Sequence, residues 1–184
     1  MIRRATADDY GGIVELVARY HYDRLSAEER EGGFLSAEFT LQQVAETAGD
    51  LGVFVAREAG VVVGVVFAFR HDAGNHPPIV REMLRTVERA SLRQRPLNTR
   101  RLFVYGPVCI AREHRGRGLL RSLYSAVLKE LSGQFEAGVT FVANDNAHSL
   151  RAHTAGLGMV QVAEFDFNGR RHSVLAFEAR ADRL

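Results

Sequence analysis

Two short groups of residues in this 184-residue chain could do chemistry. The first is the basic loop from Arg112 to Arg121, which holds Arg112, Arg115, Arg117, Gly116 and Gly118. It runs straight into apolar residues at Leu120, Leu123, Tyr124, Val127, Leu128 and Leu131, spaced i, i+3, i+4, i+7, i+8 and i+11, which is one buried face of a helix. The loop therefore delivers its backbone N–H groups to a helix N-terminus. Unpaired donors and the positive end of the helix dipole suit a phosphate or pyrophosphate there, and the two glycines let such a ligand approach the backbone. The second group is Asn146, Ser149 and His153, which share one helix face at i, i+3 and i+7. One side of that helix could meet one ligand. Each group has a plainer reading too: a strand-loop-helix junction with a solvated turn, and a histidine packed at a sheet edge.

The elements that must position these groups can be read in chain order. Ile2 to Ala5 reads as a short strand. Thr6-Ala7-Asp8-Asp9 then opens a helix through Ile13, Leu16, Val17 and Tyr20 that should run to about Leu25. An acidic connection follows, with Glu28, Glu29, Glu31, Glu38, a Gly32-Gly33 bend and two phenylalanines, Phe34 and Phe39. Thr40 to Gln43 is a capping box for a second helix that Gly49 should end. Leu51 to Arg57 and Val61 to Phe69 form a predicted hairpin. Arg70 to Arg101 reads as a helical insertion, with Ile79, Met83, Val87 and Ala90 on one face and a basic tail from Arg93. It is too short to bury a core of its own, so the chain, 1–184, reads as one domain. The insertion's apolar stripe either covers a sheet edge or makes a homodimer interface.

Leu102 to Ile110 is a strand interrupted by Gly106-Pro107, and proline there demands an edge or a bulge. With the helix after the loop and a strand at Val139 to Ala143, it forms a βαβ unit, which makes those two strands parallel. A short helix through Ala155 follows. Met159 to Phe167 and Arg170 to Phe177, joined by Asn168-Gly169, read as a hairpin with a type I′ turn. The tail from Ala179 to Leu184 is expected to fray.

Composition narrows the class. A hydrophobic share of 46% and a charged share of 25% are those of a water-soluble globule, and no apolar run is long enough for a membrane span. The net charge of +2 with scattered arginines argues against nucleic acid as the partner. A lone cysteine, Cys109, makes no internal disulfide and fits a reducing, cytoplasmic setting. His71 and His76 lack accompanying ligands, so they read as loop histidines and no metal is expected.

The segment Arg115-Gly116-Arg117-Gly118-Leu119-Leu120 resembles the acetyl-CoA loop of the GNAT N-acetyltransferase superfamily, Arg/Gln-x-x-Gly-x-Gly/Ala, with Leu120 in place of the last small residue. Asn146 to Met159 is similar to that family's segment after the fifth strand, with one extra residue between His153 and Gly158. The resemblance implies an α+β fold: a mixed, mostly antiparallel sheet of six to seven strands, splayed at a bulged parallel pair, with helices on both faces. It implies acetyl-CoA as acyl donor, transfer to a primary amine of a small molecule or peptide, and direct attack in a ternary complex. Backbone groups of Val108, Cys109 and Ile110 would then hold the pantetheine arm as an added strand, with the Ile110 amide stabilising the developing oxyanion. Arg115, Gly116, Arg117, Gly118, Leu119, Leu120 and Arg121 would hold the pyrophosphate, Asn146 the arm, and Ser149 would line its channel. His153 stands where relatives place the residue that protonates the leaving thiolate, and an imidazole suits that role.

The attacking amine also needs a base, and Leu102 to Ile110 contains no carboxylate. Tyr105, Glu113, His114, Asp145 or a water chain are the substitutes. Relatives wall the acceptor cleft with segments corresponding to Glu28–Phe39 and Val160–His172. A CoA-binding sensor or interaction module without catalysis is the alternative. A nucleotide-binding domain fits worse, because neither three spaced glycines nor a Gly-Lys-Ser/Thr ending is present.

Overall fold

The computed structural model describes residues 1–180, so most of the tail expected to fray, 181–184, lies outside the described residues. Seven strands form one sheet: β1 (Ile2–Arg4), β2 (Gly52–Glu58), β3 (Val61–Arg70), β6 (Leu102–Ile110), β7 (Ala137–Ala143), β8 (Val160–Phe167) and β9 (Arg170–Glu178). A separate two-residue pair, β4 (Ser91–Leu92) and β5 (Arg95–Pro96), lies between β3 and β6 in the chain. The sheet order is β1-β2-β3-β6-β7-β9-β8, and only β6 and β7 run parallel. The helices are α1 (Ala7–Arg19), α2 (Ala27–Glu31), α3 (Leu41–Gly49), α4 (Pro78–Val87), α5 (Leu119–Leu131) and α6 (Ala147–Arg151). None is long and apolar enough to cross a membrane. This is the mixed, mostly antiparallel sheet with flanking helices that the family resemblance implies.

Alternation along the strands decides what each face buries. Val53 and Val55 of β2 join Val65 and Phe67 of β3 under α1 and α3, while Phe54, Ala56, Val66 and Ala68 pack with α5 on the opposite face. The α5 stripe read from the sequence is that second core: Leu123, Tyr124, Val127, Leu128 and Leu131 are all buried. Below it, Gly138 of β7 lies under Phe177, and a Cβ there would stand 2.2 Å from the ring. The ring in turn contacts Phe103, Tyr105 and Tyr124 at centroid distances of 5.8, 5.5 and 5.1 Å.

Local departures from the sequence reading have local causes. The first helix stops at Arg19, short of Leu25, because Tyr20 to Tyr22 leave it to pair with Leu35: Leu35 N–H donates to Tyr20 O and Tyr22 N–H to Leu35 O, both at 2.8 Å. The acidic connection contains α2, capped by Ser26 and Glu29, whose side chains each accept from the other's amide. In the 70–101 segment α4 packs Met83 and Val87 against Leu102, Val104, Val139 and Phe165. Its basic tail turns back as the β4-β5 pair, with Arg93 and Gln94 both at positive φ, a turn carrying no glycine signal. Arg100 pins it to the sheet, reaching Glu178 Oε1 and Leu92 O at 3.0 Å each, fully buried.

Candidate active site

The site begins at the break in β6. Val66 pairs with Val108 and Ala68 with Tyr105, so Gly106 and Pro107 bulge opposite Phe67 alone. On its other side β6 pairs with β7 only from Leu102 to Val104. Beyond Val104 the two strands part, while β7 stays paired with β9 as far as Ala143. Residues Val108 to Ile110 therefore keep β3 on one edge and leave the other edge facing a gap.

Two concavities open from that gap. One, of about 390 Å³, runs along the β6 edge past the Arg115–Arg121 loop. At its end, the helix bonds of α5 start with Ser122 N–H to Gly118 O at 3.0 Å, so the amides of Leu119, Leu120 and Arg121 precede the first intrahelical bond. Gly116 and Gly118 sit at φ 73° and 77°, the left-handed region that favours glycine, and a Cβ on either would meet nothing within 4 Å. An edge open to an extended ligand, with a donor-rich helix end beyond it, fits a long anionic molecule such as CoA. The arginines are placed less simply. Arg115 Nε donates to Ile110 O at 2.9 Å and its Nη1 to Gly32 O, so it ties the loop to the Gly32-Gly33 bend. Arg121 donates to Gly156 O at 2.8 Å, and Arg117 faces Glu58 at 3.7 Å.

The second concavity, of about 480 Å³, lies on the far side of the gap. Its floor is Val104 to Val108 and Thr140 to Ala143, and its walls come from residues 34–39, α3, and residues 69–80. Within the hairpin region 160–172 named from the sequence, no residue borders it; the insertion occupies that place instead. The two spaces share Phe34, Leu35, Val108, Ser149 and His153. Of the residues nominated for the cofactor, Val108, Cys109, Ile110, Arg115, Gly116, Gly118, Leu119, Leu120, Arg121 and Ser149 border the groove. Arg117 does not, and Asn146 borders the second cavity, its Nδ2 donating to Phe34 O at 2.9 Å while its Oδ1 caps α6 at Ser149 N. Gly32, Gly33 and His148 also border the groove, beyond the residues the sequence points to; no spacing in the sequence joins that bend to the loop 80 residues on.

His153 sits at the seam, 7% exposed. The one-residue excess before Gly158 is absorbed where α6 widens into a π-helical turn over Ala152–Gly156, which adds a residue without rotating the face before it. His153 Nδ1 lies 2.8 Å from the Ser149 carbonyl, which can only accept, so Nδ1 carries the proton and neutral imidazole keeps its lone pair on Nε2. Burial lowers its pKa, outweighing the Ser149 bond that works the other way. A neutral ring with its lone pair on Nε2 can accept a proton at that atom.

The substitute bases separate on position. Tyr105 is 1% exposed, its hydroxyl has no hydrogen-bond partner, and burial, with Tyr124 beside it, pushes its pKa well above the ordinary phenol value. Burial thus works against the role of base that the sequence reading offered it. Its ring stands edge-on to His153 at 6.2 Å between centroids. Glu113 faces Arg19, Asp145 pairs with Arg170, and neither borders either space. His114 lines the groove with Nδ1 2.9 Å from Glu58. Cys109 points into the core under α1, its thiol pushed up to about 12 by burial, and only its backbone faces the groove.

The family model that matches this chain is the acetyltransferase (GNAT) family, over residues 18–159. The chain belongs to the GNAT acetyltransferase family. No curated protein matches the sequence. Among solved structures, a GNAT phosphinothricin acetyltransferase from Sinorhizobium meliloti in complex with acetyl-CoA is 15% identical with a TM-score of 0.64, covering 97% of this chain and 87% of that one. An N-acetyltransferase from Staphylococcus aureus Mu50 is 14% identical at TM-score 0.63, covering 98% of each chain. A ribosomal-protein-alanine N-acetyltransferase from Brucella melitensis is 16% identical at TM-score 0.61, covering 97% and 99%. At these identities the likeness is one of fold, and in this GNAT chain the bulged strand, the loop and the π-turned helix converge on one seam.

Proposed function

We propose that this GNAT protein transfers an acetyl group from acetyl-CoA to a primary amine by direct attack in a ternary complex. The observation that carries the reading is the shared border of the two spaces at Val108, Ser149 and His153. A donor in one and an acceptor in the other can touch there, and holding two reactants in one geometry supplies much of the rate. On this reading residues 70–101 are an insertion within one domain, and they serve the acceptor side.

Acetyl-CoA, when bound, supplies the acetyl group as a thioester. The open β6 edge at Val108 to Ile110 holds its arm, and the amides of the Gly116–Arg121 turn hold its pyrophosphate. The neutral amine attacks the acetyl carbon. His153 Nε2 takes the proton that the nitrogen sheds as the C–N bond forms, and returns it to sulfur as the C–S bond breaks. The thiolate thus receives the proton expected from His153, and that proton originates on the acceptor. No carboxylate is needed on β6, because the helix supplies the base that the strand lacks. Thr140 borders the acceptor side as a polar group.

The test is thiol release from acetyl-CoA in the presence of an amine panel, with product mass measured. Thiol release that depends on amine, with a mass gain of one acetyl group, is the expected result. CoA binding without turnover on any amine would turn the reading to the non-catalytic CoA module.

A further inference from the structure

The acceptor cavity of the proposed reaction has a distinctive lining. Part of its lining is rings and branched side chains: Phe39 and Phe69 border it, Phe39 lying nearly parallel to Phe69 at 6.4 Å between centroids and to Phe67 behind it at 4.3 Å, and Phe141, Ile79 and Val80 close other sides, while Gln43, Thr47, Asn75 and Thr140 add neutral polar groups. Most of the charges bordering it are already committed. Asp50 pairs with Arg70 at 3.0 Å and Glu38 with Arg24 at 3.3 Å. His76 Nε2 donates to the Arg70 and His71 carbonyls at 2.7 and 3.2 Å, which fixes that ring. Glu46 differs. It accepts from Gln42 at 2.8 Å, and among the described residues it has no cationic partner. Neither Glu46, Glu38 nor Asp50 borders the cofactor groove, so these carboxylates stand away from the seam where acetyl would pass.

An acceptor with a carboxylate or phosphate would meet an arginine already held by Asp50 and the carboxylate of Glu46. A second cation on the acceptor would meet that glutamate favourably. Resting on the acetyl-transfer reading above, we propose that the acceptor is a primary amine on a flat apolar body, without an anionic group, whose remote end accommodates a second cation. Ile79 and Val80 of the insertion select the ring, and Glu46 of α3 selects the remote charge. Substrate choice is therefore set by residues 34–50 and 69–80, outside the parts that hold CoA.

Four amines that vary one property at a time test this: benzylamine, p-xylylenediamine, 4-(aminomethyl)benzoic acid and ethylamine. The diamine should exceed the benzoate in kcat/KM by about 10-fold or more, with benzylamine between them and ethylamine well below benzylamine. Glu46→Gln should erase the diamine's advantage over benzylamine, an effect of about 3-fold because the glutamate is exposed. Val80→Trp should lower turnover of the ring amines by about 10-fold, and CoA binding by calorimetry checks that each variant keeps its fold. Equal or better use of the benzoate, or ethylamine matching benzylamine, overturns the proposal. Calorimetry with each amine in the presence of CoA separates it from the reading it rests on. Selective binding of the diamine without thiol release leaves the cavity assignment standing and defeats acetyl transfer. Thiol release with other amines, while the ring series neither binds nor reacts, defeats the assignment and leaves acetyl transfer standing.

Discussion

Replacing His153 by phenylalanine removes Nε2 from the seam and keeps a ring beside Tyr105. The structural loss is the Nδ1–H bond to Ser149 O, at 2.8 Å. One such bond contributes about 1 kcal/mol net, and in a chain of this size that shifts the unfolding midpoint by about 2–4 °C. The catalytic loss is larger. A positioned general base contributes about 10²–10⁴ in rate, or about 3–5 kcal/mol of barrier. Steady-state thiol release at saturating acetyl-CoA should therefore fall by at least about 100-fold, with CoA affinity nearly unchanged, while thermal unfolding moves by only a few degrees. The pH dependence carries a second signature. Burial lowers the His153 pKa, so the acid limb of kcat/KM should lie below the ordinary histidine value and be missing from the variant. Stability follows the same sign. Between the lowered folded value and the unfolded value the unfolded chain binds the extra proton, so the wild-type protein loses stability as pH falls through about 6.5. The phenylalanine variant lacks that loss, and the stability gap between the two should narrow in acid. A variant that keeps more than about a third of wild-type kcat/KM, or shows the same acid limb, would refute the shuttle.

Three further outcomes follow from the packing. Gly138→Ala places a Cβ 2.2 Å from the Phe177 ring, inside the cluster of Phe103, Tyr105 and Tyr124, and should cost about 3 kcal/mol in denaturant unfolding; adding Phe177→Leu should recover part of it, and additive losses would contradict the clash. Asp9 is fully buried between Arg3 and Arg57, at 2.6 and 2.9 Å. Burial alone would raise its pKa, but the bonds from Arg3 and Thr6 bring it below the usual carboxylate value. Its contribution should hold above about pH 4 and fade as pH drops through the folded value, and Asp9→Asn should destabilise by about 2–3 kcal/mol at pH 7, read by chemical denaturation. Cys109, with its thiol near 12 and 4% exposure, should resist iodoacetamide at pH 8 in the folded protein and react once unfolded; rapid labelling of native protein would show that the strand is more open than described.

Much of the fold was legible because its signals are local. The α5 stripe, the capping boxes at Thr40 and the Asn168-Gly169 turn, with φ of 49° and 75°, each involve residues close in sequence. The Gly106-Pro107 break was legible too, since proline cannot donate in a ladder, and the register places the bulge there. What misled was equally physical. Helical spacing continued past Arg19, but Tyr20 to Tyr22 had a better partner in Leu35, a contact across the loop that periodicity does not report. The insertion's basic tail carried no turn signal, yet folds back because Arg100 finds Glu178 in the core.

By itself the sequence determined the loop and glycines that open a helix end to an anion, and the three polar residues on the following helix. It also determined that β6 brings no carboxylate. Tertiary structure decided the rest. Parting of β6 from β7 after Val104 creates two spaces with a common border, and the π turn sets His153 on it with Nδ1 held by Ser149. The hydrogen bond that chooses which imidazole nitrogen is free depends on helix geometry, and the second cavity is lined by segments 34–50, 69–80, 104–108 and 140–153 folded together. Spacing along a chain orders residues on one element, but only packing between elements decides which of them share a cavity.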